Sequence, residues 1–280
     1  MADEPTFWHM DAPGADDYVH ARLHGTVEYT HRLPVTGCRD CATWLGVVGR
    51  TLPVECPPGW RDGDAGYRTN AEFAALRAAL EPELPPEVAP LLPLQPGDQF
   101  APARWTVPSW PVDDVLWPEI GAALVSDRVR QALEQANVTG VYFAPVVVER
   151  VGRKPARKMA RARGGEPEDA WRRVPPAGED ARPPVYWHMG VAGRSGTGDL
   201  PVCLDWGHPS REGFEPRRDV PRLLGDAAWL RATWLGADVF RPLGAGYIFV
   251  TDRARALLAG LGATGAEFRA PGSLAGAPGA

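Results

Sequence analysis

Two cysteines, Cys38 and Cys41, stand in C-x-x-C spacing within "TGCRDCATW". Two thiolates at that spacing form half of a tetrahedral zinc site or a redox pair, and a structural zinc needs four ligands. The redox reading is the weaker one, because the motif does not open a helix after a strand. The histidines do not supply an obvious second half. His20 and His24 have i, i+4 spacing, but "HARLH" lacks the glutamate of a zinc-protease helix. His188 in "YWHMG" and His208 in "WGHPS" flank the glycine-rich "GRSGTGD", which lacks the lysine of a phosphate loop and reads as a turn. Cys203 in "PVCLDW" reads as part of a buried strand, and Asp205 beside it has no partner in sequence to make it a base. No nucleophile elbow is present, so the residues offer no constellation for acid–base or nucleophilic catalysis.

The chain that must position these groups has 280 residues and 44% hydrophobic content, enough for a substantial core. Its net charge of −5 disfavours a general nucleic-acid binder and suits a basic partner. No apolar run is long enough to span a membrane, and the acidic opening "MADEPTFWHMD" is no signal peptide. With only four cysteines, a cytoplasmic, reduced protein is expected. Thirty prolines and 31 glycines predict many turns and short elements. Eleven tryptophans predict a Trp-rich core, or a recognition surface in which Trp105, Trp110 and Trp117 on loops serve as anchors.

"GTVEYTHRL" (25–33) alternates as a strand. "TNAEFAALRAALEP" predicts a helix: Thr69 and Glu72 form a capping box, Phe73, Leu76 and Leu80 share a face, and Pro82 stops it. The segments "PELPPEVAPLLPLQPG" and "PARWTVPSWPVDDVLWP" are rich enough in proline to predict irregular surface chain.

"SDRVRQALEQANVTGVYF" from Ser126 and "TDRARALLAGLGATGAEF" from Thr251 align without a gap, and an apolar stretch precedes each. Ser or Thr N-caps a helix, Asp favours its positive end, and the Thr-Gly pair ends it before a strand. Each copy is therefore a strand–helix–strand unit. The fold expected is α+β: mixed or antiparallel sheets with short helices, long Pro/Gly-rich loops and two related units. These pack as pseudo-equivalent halves, or the second completes the sheet of the first. Residues 1–150 carry the C-x-x-C knuckle and the first unit, 151–184 form an insertion, and 185–280 carry the second unit, possible divisions of one compact domain. The insertion is basic at Arg153, Lys154, Arg157, Lys158, Arg161 and Arg163, then acidic and proline-rich. It reads as a solvated loop, with a nucleic-acid tether as the alternative.

"GCRDCATWLGVVGRTLP", "LLPLQPGDQFAP", and "ADVFRP" followed by "FVTDRARALLAGLGATGAEF" together resemble the double-CXXCG motif paralogous family of myxobacteria. That resemblance implies an immunity protein that neutralises a cognate toxin by occlusion, without catalysis. It implies a protein toxin as partner, expected to be basic from the net charge; that charge and the lack of a long apolar run lead us to expect neither direct nucleic-acid nor membrane binding. The first motif departs from the family pattern, with Ala42 in place of glycine. The second falls on "MGVAGR", where Met189 and Ala192 stand for the cysteines. The resemblance thus implies a degenerate zinc motif, no cofactor, and packing by Met189 and Ala192 into the vacated space. Zinc held by Cys38, Cys41, His188 and Cys203 is the alternative. It goes with a metal-binding enzyme or an accessory subunit in peptide modification.

Overall fold

A computed structural model describes residues 4–13, 26–37, 44–45, 49–60, 68–107, 110–119, 122–150, 184–196, 198, 222–242 and 246–272. Along the chain these form β1 (Phe7–Asp11), β2 (Thr26–Arg32), β3 (Thr36–Gly37), β4 (Trp44–Leu45), β5 (Thr51–Leu52) and α1 (Asn70–Leu80). Then come β6 (Gln99–Val107), β7 (Val115–Glu119), β8 (Ala122–Ser126), α2 (Asp127–Gln135), β9 (Val141–Arg150), β10 (Tyr186–Val191) and β11 (Gly193–Arg194). The last are α3 (Ala227–Thr233), β12 (Val239–Arg241), β13 (Ile248–Thr251), α4 (Asp252–Gly260) and β14 (Glu267–Arg269). The architecture is α+β, with mixed sheets and short helices.

The two repeated segments build matching halves. In the first, the strand order is β9-β10-β8-β7; in the second it is β14-β1-β13-β12. Each half takes its second strand from elsewhere in the chain. β10 lies antiparallel between β8 and β9, and β1 lies antiparallel between β13 and β14. The pairings therefore cross the chain-order divisions at 150 and 185. The registers coincide: Trp187 faces Val125 as Trp8 faces Val250, and Met189 faces Phe143 as Met10 faces Phe268.

A central core lies between the halves and contains equivalent residues from both: Met189 and Met10, Val115 and Val239, Val125 and Val250, Leu133 and Leu258. Burial of these side chains, at about 1.5–3 kcal/mol each, is the main force joining the halves. A reciprocal polar latch gives the joint its register. Asp114 of the first half accepts hydrogen bonds from the Thr264 amide (3.1 Å), the Ser126 hydroxyl (2.8 Å) and Arg128 Nε (2.6 Å). Asp238 of the second half accepts from the Thr139 amide (3.0 Å), the Thr251 hydroxyl (3.1 Å) and Arg253 Nη1 (2.5 Å). Each aspartate thus fastens the Thr-Gly turn of the opposite half. Those turns need glycine. Gly140 and Gly265 have φ of +83° and +85°, and an added Cβ would lie 2.1 Å from the Val239 carbonyl oxygen or 2.0 Å from that of Val115.

Two local expectations are corrected here. Ser126 makes no side-chain cap bond, whereas Thr251, whose hydroxyl likewise donates to its latch aspartate, also accepts from the Ala254 amide as a cap should. The helices also end before the Thr-Gly pairs: Asn137 (φ 51°) and Gly262 (φ 65°) take the left-handed position just past α2 and α4.

The sheet of the first half continues beyond β9. β6 runs parallel to β9 from Ala103 onward, β5 pairs with its first two residues, and β2 covers its other edge. The strand "GTVEYTHRL" is therefore present as β2. The proline-rich segment 102–118, expected as irregular surface chain, instead supplies most of β6 and β7, with Trp105, Val107, Val115, Leu116 and Trp117 buried. Pro102 stands where β6 changes partner from β5 to β9, so its missing N–H leaves no gap in the ladder. Trp105 is fully buried and Trp117 nearly so, which removes both from the list of partner anchors; Trp110 is partly buried against the same cluster as Trp105. Helix α1 forms with the expected capping box and buries Phe73 and Leu80 against Leu33, Leu52 and Phe100. After it, two 3₁₀ turns, Glu81–Glu83 and Pro86–Leu91, bury Val88 and Leu91, so this segment too is tied to the core.

Candidate functional site

The inserted strands β10 and β1 carry a repeated sequence, Tyr186-Trp187-His188-Met189 and Phe7-Trp8-His9-Met10. Strand alternation sends Met189 and Met10 into the central core and the histidines to the opposite face. Each tryptophan is fixed alike. Trp187 Nε1 donates to Asp127 (3.0 Å) under the Arg130 guanidinium, and Trp8 Nε1 donates to Asp252 (2.6 Å) under Arg255. Both histidines are 3% exposed, and Nδ1 of each has no hydrogen-bond partner among the described residues. Burial, with a smaller contribution from Arg241, lowers His188 to about 3. Burial, then Arg269, lowers His9 to about 4. Both rings are neutral across the physiological range.

Around His188 the first half differs from the second. Its neighbour on the same face, Gly190, has no side chain, and the ring of Tyr142 from β9 lies over it. A Cβ at Gly190 would come within 2.0 Å of Tyr142 Cζ. Tyr142 Oη is buried without a hydrogen-bond partner, and desolvation pushes the phenol well above its usual range. Three arginines lie in its field: Arg50, Arg194 and Arg241. Arg50 is committed to fully buried Asp98 through Nε (3.0 Å) and Nη2 (2.5 Å), and also reaches the Leu91 carbonyl (2.7 Å). Burial alone would depress the Arg50 guanidinium; the Asp98 carboxylate outweighs it and raises it. Arg194 and Arg241 face each other in register on the parallel strands β11 and β12. Part of Arg194 stays exposed. The protein packed around its head, and then Arg50, lower its guanidinium.

Chemically, this is a cationic cluster with two neutral polar groups at its base. It contains no nucleophile paired with a base. Sequence reasoning missed it because its members come from β9, β10, β11, β12 and the residue before β5. The only local signal was the pair of Trp-His-Met tripeptides.

Of the zinc alternative Cys38, Cys41, His188 and Cys203, only His188 lies among the described residues. The strands β3 and β4 pair antiparallel, Thr36 opposite Leu45 and Gly37 opposite Trp44. Cys38, Cys41, Cys203, His20, His24, His208 and the insertion 151–183 fall outside the described residues. The positions assigned to the second motif do not fit a metal centre or a packed replacement of one. Met189 points into the central core while Ala192 is exposed, so the two fill no common space. That expectation is corrected by strand alternation. Among the described residues, no helix is long and apolar enough to cross a membrane.

No protein-family model matches the chain, and no curated protein matches it.

Proposed function

We propose that the protein is an immunity-type binding protein of the cytoplasm, which holds a basic toxin in an inactive complex without turnover. One observation carries this reading most. The best-made polar interactions among the described residues hold the scaffold: Asp114 with Arg128, Asp238 with Arg253, Asp98 with Arg50. A scaffold fixed in this way loses little freedom on association, which favours binding by shape. The net charge of −5 favours capture of a cationic partner by electrostatic steering. The resemblance to the double-CXXCG family supplies the toxin as the kind of partner.

The test is affinity capture of the full chain from its native host, followed by reconstitution with the captured protein. The reading expects an equimolar complex with a basic, toxic polypeptide and recovery of growth when both are expressed. Stoichiometric metal together with catalytic turnover, lost in Cys38→Ser, would overturn it and favour the metalloenzyme reading.

A further inference from the structure

Val146 and Val148 of β9 pack on one side of the sheet, against the cluster around Trp105. Strand alternation turns Pro145, Val147 and Glu149 to the other side, the side of Trp187. All three are exposed, Val147 at 42%. Trp187 and Pro145 are register partners; Val185 lies two residues before the first and Val147 two after the second, so both valines continue this side of the pair. Val185 is 59% exposed, and its carbonyl accepts from the Asp127 amide (3.2 Å), which fixes it at the foot of α2. A valine exposed alone is ordinary, but here two of them join an exposed proline and a half-buried tryptophan in one apolar strip.

The second half does not repeat the strip. Counting from Phe143 and Phe268, Ala270 and Gly272 stand for Pro145 and Val147. Thr6, whose carbonyl accepts from the Asp252 amide (3.1 Å), stands for Val185. The repeated fold therefore does not require apolar side chains at these places. The border of the strip is acidic. Glu28 faces Arg104 across β2 and β6, and Arg104 is the register partner of Val147 and pairs with Glu149 (3.2 Å). On α2, Arg130 is held by Asp127 (3.0 Å) and Glu134 (2.7 Å). Among the described residues, four carboxylates thus border the strip against two guanidiniums, and both guanidiniums are engaged.

We infer that this face of β9 and β10, with Val147 and Val185 at its centre, is where the cationic partner docks, bringing an apolar side chain to the strip and lysine or arginine to its border. An apolar centre within a charged rim is the usual anatomy of such a surface, and the excess of carboxylates selects a basic partner. The inference rests on the binding reading above for the partner's existence and adds where that partner sits.

The probe is the basic polypeptide recovered with the full chain in the capture experiment, titrated calorimetrically into the purified chain. Val147→Lys and Val185→Lys should each weaken binding about tenfold or more, since each puts a charge where an apolar contact forms. Val147→Thr keeps the branched shape, should weaken binding severalfold, and stands in if a lysine disturbs the strand. Glu28→Gln should slow association severalfold. Leu235→Lys alters a side chain that is 70% exposed in the second half and should bind as the parent does. Full affinity in both lysine variants overturns the inference and leaves the toxin reading standing. Capture of no basic polypeptide by the parent chain overturns the reading and the inference with it. A dimer of the chain alone that Val147→Lys disperses would assign the face to a second copy, and would also overturn the inference.

Discussion

The two halves share a latch and differ in the face they turn away from it. Asp114 and Asp238, Thr264 and Thr139, Gly265 and Gly140 occupy equivalent places and make equivalent bonds. So do Trp187 and Trp8 against Asp127 and Asp252. Where the halves agree, the residues hold the fold. Where they differ, the first half has Tyr142, Gly190 and Ala144 against Glu267, Asp11 and Arg269 of the second. The second set pairs its own charges at the surface. In the first set Tyr142 packs against the cluster around Leu52, Phe73 and Phe100, and its Oη has no hydrogen-bond partner among the described residues. Paired strands tolerate almost any outer face once their inner face is packed, so the outer face is where two copies of one unit can diverge in purpose.

The comparison breaks most severely at the turns. Gly140→Ala and Gly265→Ala both drive a Cβ into a carbonyl oxygen at about 2 Å and force a side chain onto a positive φ. Each is expected to cost about 3 kcal/mol or more, to the same extent in both halves, by urea unfolding. The latch aspartates come next. Asp114→Ala and Asp238→Ala should each lose about 2–3 kcal/mol, because each leaves an arginine and a threonine amide without their acceptor.

The histidines follow. His9 and His188 are held below their unfolded value of about 6.5, so as pH falls below that value the unfolded chain gains protons that the native one refuses. Stability is complete above about pH 6.5 and falls by about 1.4 kcal/mol per pH unit for each histidine, down to about pH 4 for His9 and about pH 3 for His188. Unfolding measured at pH 7, 6 and 5 should show this slope, roughly halved in His188→Met. An unchanged slope would mean that the native His188 takes up its proton as freely as the unfolded one. The smallest effect separates the outer faces. Gly190→Ala meets the Tyr142 ring and should cost about 1–2 kcal/mol, while Asp11→Ala at the equivalent place should stay within about 0.5 kcal/mol.

Much of this was readable from the residues. The ungapped match from Ser126 and Thr251 marked both units, and the capping box at Thr69 marked α1. Two equivalences escaped. Asp114-Val115 and Asp238-Val239 stand 12 and 13 residues before the Ser126 and Thr251 hydroxyls they bind, so one residue of loop hides them from an ungapped comparison. The Trp-His-Met strands were hidden by order, since β10 follows its unit in the chain and β1 precedes its own. Proline content also misled at β6. A single Pro102 at a change of partner costs the sheet nothing, yet it reads in sequence as a break. The cationic cluster was not readable at all, because only folding brings Arg50, Tyr142, Arg194 and Arg241 together.

Native-state hydrogen exchange at two backbone amides, Thr264 and Thr139, probes the joining of the halves most directly. These are the groups that Asp114 and Asp238 hold across the joint. A reciprocal latch predicts that both are strongly protected, and that Asp238→Asn speeds exchange at Thr139 and at Thr264 alike. Faster exchange at Thr139 with Thr264 unchanged would mean that each turn opens by itself, and that the halves are merely neighbours.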